Sequence, residues 1–165
     1  MIEEQVILVN ENNEQIGLMP KLEAHEKAVL HRAFSVFIFN NDNELMLQQR
    51  AISKYHSPGL WTNTCCSHQR DGESNIQAGK RRLQEEMGFI TELEESISFI
   101  YKAPFDNGLT EHEFDHVLIG KFHLSRQIGD LEGYFCNGLL RMAEEGEALM
   151  LALAIEAGAS SRDTY

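Results

Sequence analysis

Apolar residues fall in short runs, or alternate with polar ones, over residues 5–9, 34–39, 44–49, 97–101 and 111–122, and these stretches read as β-strands. Asn10 to Glu14 is a polar turn after the first of them. Asn40-Asn41-Asp42-Asn43 separates the second and third as the turn of a hairpin. A loop carrying Arg50 and Lys54 follows and ends in Pro58-Gly59, and 105–110, with Asn107-Gly108, is a further turn. The clearest helical period lies in 74–87, where Ile76, Gly79, Leu83 and Met87 form one apolar stripe at about 100° per residue. Ser74 with Gln77 three positions on resembles a capping box, and Gly88 suits the position just past the helix end. Arg82 and Glu86 then lie along one edge of the stripe, where they can point into a cleft, while Arg81 and Glu85 point away from it. Taken alone, both pairs are surface ion pairs worth about 0.3–0.5 kcal/mol. Residues 139–157 also have helical composition, with Leu140, Ala143, Ala148, Leu151 and Ile155 roughly on one face.

The chain's 165 residues suffice for one domain with its own core, and 42% of them are hydrophobic. A net charge of -12 argues against nucleic acid or an anionic membrane as the main partner. An acidic protein can still take an anionic substrate where metal ions and a few Arg or Lys side chains reverse the sign locally. The amino-terminal residues carry no basic segment followed by a long apolar run, and no stretch reaches the ~18 apolar residues of a membrane span. Cys65, Cys66 and Cys136 are odd in number, and the adjacent pair is poorly placed for a disulfide, which suits a reducing cytoplasm.

Two patterns point to chemistry. Side chains alternate across a strand, so Glu111 and Glu113 share one face of 111–122 while His112, Phe114 and His116 share the other. Two neighbouring carboxylates repel unless a cation or a shared proton relieves them. Further upstream, His25 and His31 are six residues apart, which is not a same-face spacing on a helix, so they meet only if the chain bends between them.

The stretch WTNTCCSHQRDGESNIQAGKRRLQEEMGF, from Trp61 to Phe89, joins a cysteine-histidine loop to the charged helix and resembles a Nudix box. Glu73, Arg81, Leu83, Glu85, Glu86, Gly88 and Phe89 match that motif, whereas Ser67 replaces its first Gly and Arg82 replaces the Glu after Arg81. Exchanging a metal-binding carboxylate for a guanidinium favours holding a diphosphate over hydrolysing it. With WTNTCCSH, GES, RRLQEEMG and YKAPFDNGLTEHE in order, residues 3–123 resemble the type I isopentenyl-diphosphate delta-isomerases.

That resemblance implies an α/β fold, a Nudix-type α/β/α sandwich with a mixed sheet, over a single domain. It implies a metal held by His25, His31, His68, Glu111 and Glu113, with Mn²⁺, Mg²⁺ or Zn²⁺ suited to the ligand set. A second Mg²⁺, arriving with the substrate diphosphate, is expected at Glu86, and the diphosphate itself at Lys21, Arg50, Lys54 and Arg82. The partner is a small isoprenoid diphosphate. Cys66 and Glu113 are the implied proton-handling groups, with Tyr101 assisting the glutamate. The family carries a carboxy-terminal Trp over the alkene, but this chain's one Trp, Trp61, belongs to the earlier motif, and from about Ser125 the tail does not align. Tyr134, Phe135 and Tyr165 are the aromatic residues the tail offers instead. The competing readings are a Nudix hydrolase of a diphosphate and a diphosphate- or metal-binding module without turnover.

Overall fold

The computed structural model describes residues 4–49, 59, 61–122 and 140–143. In chain order these form β1 (Gln5–Val9), β2 (Gln15–Pro20), α1 (Lys21–Glu26), β3 (His31–Phe39), β4 (Leu45–Gln49), β5 (Trp61–Thr62), β6 (Cys65–Ser67), α2 (Asn75–Met87), β7 (Leu93–Pro104), β8 (Thr110–Lys121) and β9 (Leu140–Ala143). The strands make one mixed sheet with β3 at its centre. Along one edge of β3 runs β8, parallel, from His31↔Glu113 to Phe39↔Lys121. The other edge is shared in turn by β1 at His31, β6 at Phe34 to Val36, and β4 at Phe39. All of these except β8 pair with β3 in antiparallel fashion.

The hairpin of β3 and β4 therefore opens after a single pair, Phe39↔Leu45, and leaves backbone groups to satisfy. Thr64 fills the gap. The Ile38 N–H donates to Thr64 Oγ1 at 3.0 Å, and that hydroxyl donates to the Met46 carbonyl at 2.7 Å, so one buried side chain bridges the splayed strands. The splay also admits β5 and β6, and with them the cysteine pair.

Helix α2 has the ends its sequence implies. Ser74 accepts from the Gln77 N–H while the Gln77 side chain accepts from the Ser74 N–H, and Gly88 closes the helix at φ 75°. Its apolar stripe, Gly79, Leu83 and Met87 with Ala78, packs on Phe34, Val36 and Ile38 of β3, Cys65 of β6 and Leu118 of β8. Ile76 joins from the side. Each fully buried aliphatic or aromatic side chain here is worth about 1.5–3 kcal/mol of transfer free energy. Gly79 is required by close approach, since a Cβ there would stand 2.6 Å from Leu118 Cδ1 and 2.9 Å from Leu93 Cδ1.

One expectation is corrected. Residues 140–143, read as part of a helix over 139–157, form the strand β9, antiparallel to β4 from Gln48↔Leu140 to Leu45↔Ala143. The free edge of β4 offers main-chain donors and acceptors, and this pairing overrides a composition that leaned towards helix. The remainder of that stretch, 144–157, lies outside the described residues. Among the described residues, no helix is long and apolar enough to cross a membrane.

Candidate active site

Three histidines from three different elements meet on the side of the strands opposite the α2 core. His25 comes from α1 and His31 from the first position of β3, beside Glu113 in the parallel register. His68 follows β6 directly, and by alternation lies on the same side as Cys66. The bend that the six-residue spacing requires is made at Ala28, after α1, and brings the His25 and His31 rings to 4.9 Å. His68 stands 5.1 Å from His31 and 5.7 Å from His25, ring centre to ring centre. The three Nε2 atoms surround one carboxylate oxygen, Glu113 Oε1, at 3.1 Å from His68, 3.4 Å from His31 and 3.9 Å from His25. All four side chains are buried, with ligand atoms within 4.8 Å of one another.

The hydrogen bonds fix which atoms face inward. His25 Nδ1 donates to the Lys21 carbonyl at 2.7 Å and His31 Nδ1 donates to the Val29 carbonyl at 2.8 Å. Both rings thus present an Nε2 lone pair to the centre, the arrangement in which a backbone carbonyl orients a ligating imidazole. His31 Nε2 is buried with no hydrogen-bond partner. Burial depresses the pKa of His25, and pushes that of His68 down to about 4. Burial opposes the charge on Glu113, but the facing His31 and His68 rings outweigh it and hold the carboxyl well below its usual range. Nitrogen lone pairs facing a carboxylate repel it unless a cation stands between them, and two of the rings resist supplying a proton at neutral pH. This donor set fits a divalent metal ion.

Glu111 stands beside this group without joining it. The Tyr101 hydroxyl, opposite Glu113 in the β7–β8 register, lies 2.7 Å from Glu113 Oε2 and 3.1 Å from Glu111 Oε2. Burial, with the charges of Glu113, Glu111 and Asp115, raises the Tyr101 pKa well above its ordinary value, so the phenol remains an O–H donor shared by two carboxylates. The ligand atoms that converge thus belong to four of the five expected residues, and Glu111 is linked to them through Tyr101.

The neighbouring cysteines part company. Cys65 is buried in the core against α2, whereas Cys66, opposite Ser35, is exposed. On α2, Arg82 pairs with Glu86 and donates to Glu85 at 2.7 Å, and Glu86 also accepts from Gln48 Nε2 at 3.1 Å. Gln48 is a partner the sequence did not signal. Arg81 does not idle on the surface: its guanidinium takes both oxygens of Glu73, at 2.7 and 2.9 Å, and reaches the His68 carbonyl at 3.3 Å, tying the helix to the loop that carries His68. Lys21 pairs with Glu4 at 3.5 Å, and its charge is felt by His25 and His68, so this cation stands near the histidines, whereas Arg82 is engaged by Glu85 and Glu86 on α2. Arg50 and Lys54 lie outside the described residues, as do Tyr134, Phe135 and Tyr165.

Comparison with known proteins agrees with this geometry. The NUDIX domain family matches residues 29–147. The isopentenyl-diphosphate Delta-isomerase of Serratia proteamaculans is 54% identical over 121 residues, 73% of this chain and 68% of that protein. Isopentenyl-diphosphate Delta-isomerase 2 of Aromatoleum aromaticum is 53% identical over 119 residues, 72% of this chain and 63% of that protein. The chain therefore spans 63–68% of the length of these relatives. In fold it is similar to the crystal structure of DR0079 from Deinococcus radiodurans, with a TM-score of 0.65 over 96% of this chain and 93% of that one, at 20% identity. With its Nudix fold and half of its matched residues shared with these isomerases, the chain belongs to the NUDIX family and, within it, to the isopentenyl-diphosphate Delta-isomerases.

Proposed function

We propose that this protein interconverts isopentenyl diphosphate and dimethylallyl diphosphate, the step that supplies the allylic building block of isoprenoid biosynthesis. The observation that carries the reading is the buried convergence of His25, His31, His68 and Glu113, with Tyr101 on the second Glu113 oxygen, in a chain about half identical to named isomerases. The reaction adds a proton to the terminal alkene carbon and removes one from the carbon on the other side of the double bond, so no atom is gained or lost. An unactivated alkene requires a strong local acid and shelter from water. Cys66 and Glu113 are the two groups assigned to the protons, one adding and the other removing. The Tyr101 hydroxyl orients the Glu113 carboxylate by donating to it.

A bound Mn²⁺, Mg²⁺ or Zn²⁺ would supply the charge that the facing lone pairs need and would shift the acidity of Glu113. His25, His31, His68 and Glu113 would hold it, with Glu111 adjacent. Lys21, Arg50, Lys54 and Arg82 are assigned to the diphosphate, and Glu86 to the Mg²⁺ that the diphosphate brings with it. The exposed Cys66 thiol suits a reducing cytoplasm.

The test is incubation with isopentenyl diphosphate, Mg²⁺ and Mn²⁺ in deuterated water, followed by NMR of the allylic methyl groups. Dimethylallyl diphosphate should appear, carrying deuterium, and should be lost in Cys66→Ala. Release of inorganic phosphate or diphosphate without an allylic product would replace this reading with a hydrolase. Binding of substrate with neither product nor exchange would leave a binding module.

A further inference from the structure

His112 lies between Glu111 and Glu113 in sequence, and strand alternation turns it away from both. Its ring nevertheless reaches the segment that carries two of the three clustered histidines. Nδ1 is 2.9 Å from the Ala28 carbonyl oxygen, and because a carbonyl can only accept, that nitrogen carries the proton.

Ala28 is an unusual residue to find at that point. Among the described residues, Asn13, Ala28 and Asn43 are the ones other than glycine with positive φ, at 62°, 52° and 61°. The two asparagines sit in hairpin turns and belong to a residue type that tolerates this region, whereas alanine does so against the steric cost of its Cβ and with no polar side chain to compensate. At Ala28 the chain leaves the helix carrying His25 and turns into the strand that begins with His31. Around it, Val29 N–H donates to Ala24, and three successive carbonyls are each held: Ala28 by His112, Val29 by the His31 ring and Leu30 by the Val9 N–H at 3.2 Å. Of these holds, the one on the strained residue itself comes from His112.

We infer that His112 is a positioning residue for the metal cluster, holding the Ala28 bend that sets His25 against His31. The inference rests on the metal-site reading given above and adds to it a residue that touches neither metal nor substrate. The side chain acts through its Nδ1–H donor, so a replacement that keeps a donor at the same reach should serve. Asparagine does, since its Nδ2 stands as many bonds from the backbone as histidine Nδ1; leucine fills the space without donating.

The test is titration of Mn²⁺ into metal-stripped protein, followed by calorimetry, for the wild type, His112→Asn and His112→Leu. Wild type and His112→Asn should bind Mn²⁺ within about threefold of one another, while His112→Leu should bind about 10- to 100-fold more weakly, the usual range for loss of a group behind a metal ligand. Ala28→Gly, which removes the steric cost, should restore most of that loss when combined with His112→Leu. Equal affinity in wild type and His112→Leu would overturn the inference, and so would equal losses in the Asn and Leu variants, which would make the role one of ring packing. A wild type that takes up no Mn²⁺ would instead remove the metal-site reading, and the inference with it. Should His112→Leu fail to fold, His112→Ala provides the comparison without a donor.

Discussion

One face of β3, β6 and β8 carries Phe34, Val36, Ile38, Cys65 and Leu118 and is closed by α2; the other carries His31, Cys66 and Glu113 and is joined by His25 and His68. The same strands supply both, residue by alternate residue. On the α2 face, stability comes from apolar area, which is non-directional and tolerates changes that keep volume. On the histidine face, each buried nitrogen and carboxylate oxygen needs a particular partner at a particular distance, and burial shifts protonation rather than simply adding stability. Cys65 and Cys66 show the contrast in its smallest form. Burial, aided by the neighbouring Cys66, pushes the Cys65 thiol far above its ordinary range and leaves it inert, while one residue on the thiol is exposed.

Truncating these cysteines one at a time would break the comparison if it is wrong. Cys66→Ala is expected to lower turnover of isopentenyl diphosphate by about 10²–10⁴-fold, the range for loss of a proton-transfer group, with Mn²⁺ affinity and the urea midpoint unchanged. Cys65→Ala should keep turnover and cost about 1 kcal/mol of stability. The reverse pattern would mean that the strand is read in the wrong parity. Next in size is Leu83→Ala on α2, expected to cost about 2–5 kcal/mol by urea unfolding while Mn²⁺ still binds the folded protein with wild-type affinity. Weakened Mn²⁺ binding by the folded variant would show that the histidine face depends on the core behind it.

How far each face was legible follows from how local its causes are. The ends of α2 depend on Ser74, Gln77 and Gly88 within one helix, and the parity of 111–122 depends only on alternation, so both could be read directly. β2 could not: it is an edge strand whose Ile16 and Leu18 are exposed, so it leaves no buried period, and its pairing with β1 is what makes it a strand. Thr64 carries no signal either, because the gap it bridges exists only once β3 and β4 have splayed. The histidine cluster draws its members from residues 25 to 113, too far apart for spacing to reveal, and the resemblance to a family named them. The bend between His25 and His31 was required by that grouping, but Ala28 lacks the glycine or asparagine that marks such a turn. Arg81 does make the expected pair with Glu85, at 3.3 Å, but its closer partner Glu73 lies outside the helix, where no helical spacing marks it.

The faces should also separate by pH. In the metal-free protein, burial keeps His25 and His68 neutral below the pH at which the same side chains take protons in the unfolded chain. For His68 the window runs from the ordinary 6.5 down to about 4. Within it the unfolded state binds more protons, so stability must fall as pH falls, by up to ~3 kcal/mol for a shift of this size. Glu113, with its lowered pKa, is ionised in both states across most of that window, and its contribution is lost only on further acidification. Urea midpoints of metal-stripped protein at pH 7 and pH 5 would measure the effect. A flat profile would mean that these histidines are not buried in their neutral form.

The smallest expected effect is the most discriminating about whether the two faces are independent. Ser74→Ala removes the acceptor of the Gln77 N–H, 3.2 Å away, but leaves the reciprocal bond from the Ser74 N–H to the Gln77 side chain, so half of the capping box survives. The loss should be about 1 kcal/mol by urea unfolding, as for other helix caps. Ser74 directly follows Glu73, whose carboxylate is gripped by Arg81, and Arg81 in turn reaches the His68 carbonyl. If the faces are independent, Mn²⁺ affinity in Ser74→Ala should equal that of the wild type, because this clamp has its own donors and acceptors and does not use the cap. If the affinity falls as well, fraying at the first turn of α2 is being passed to His68 through Glu73 and Arg81. Adding Arg81→Met would then decide the route: it should abolish the further effect of Ser74→Ala on Mn²⁺ binding if the clamp carries it, and leave that effect intact if the core does.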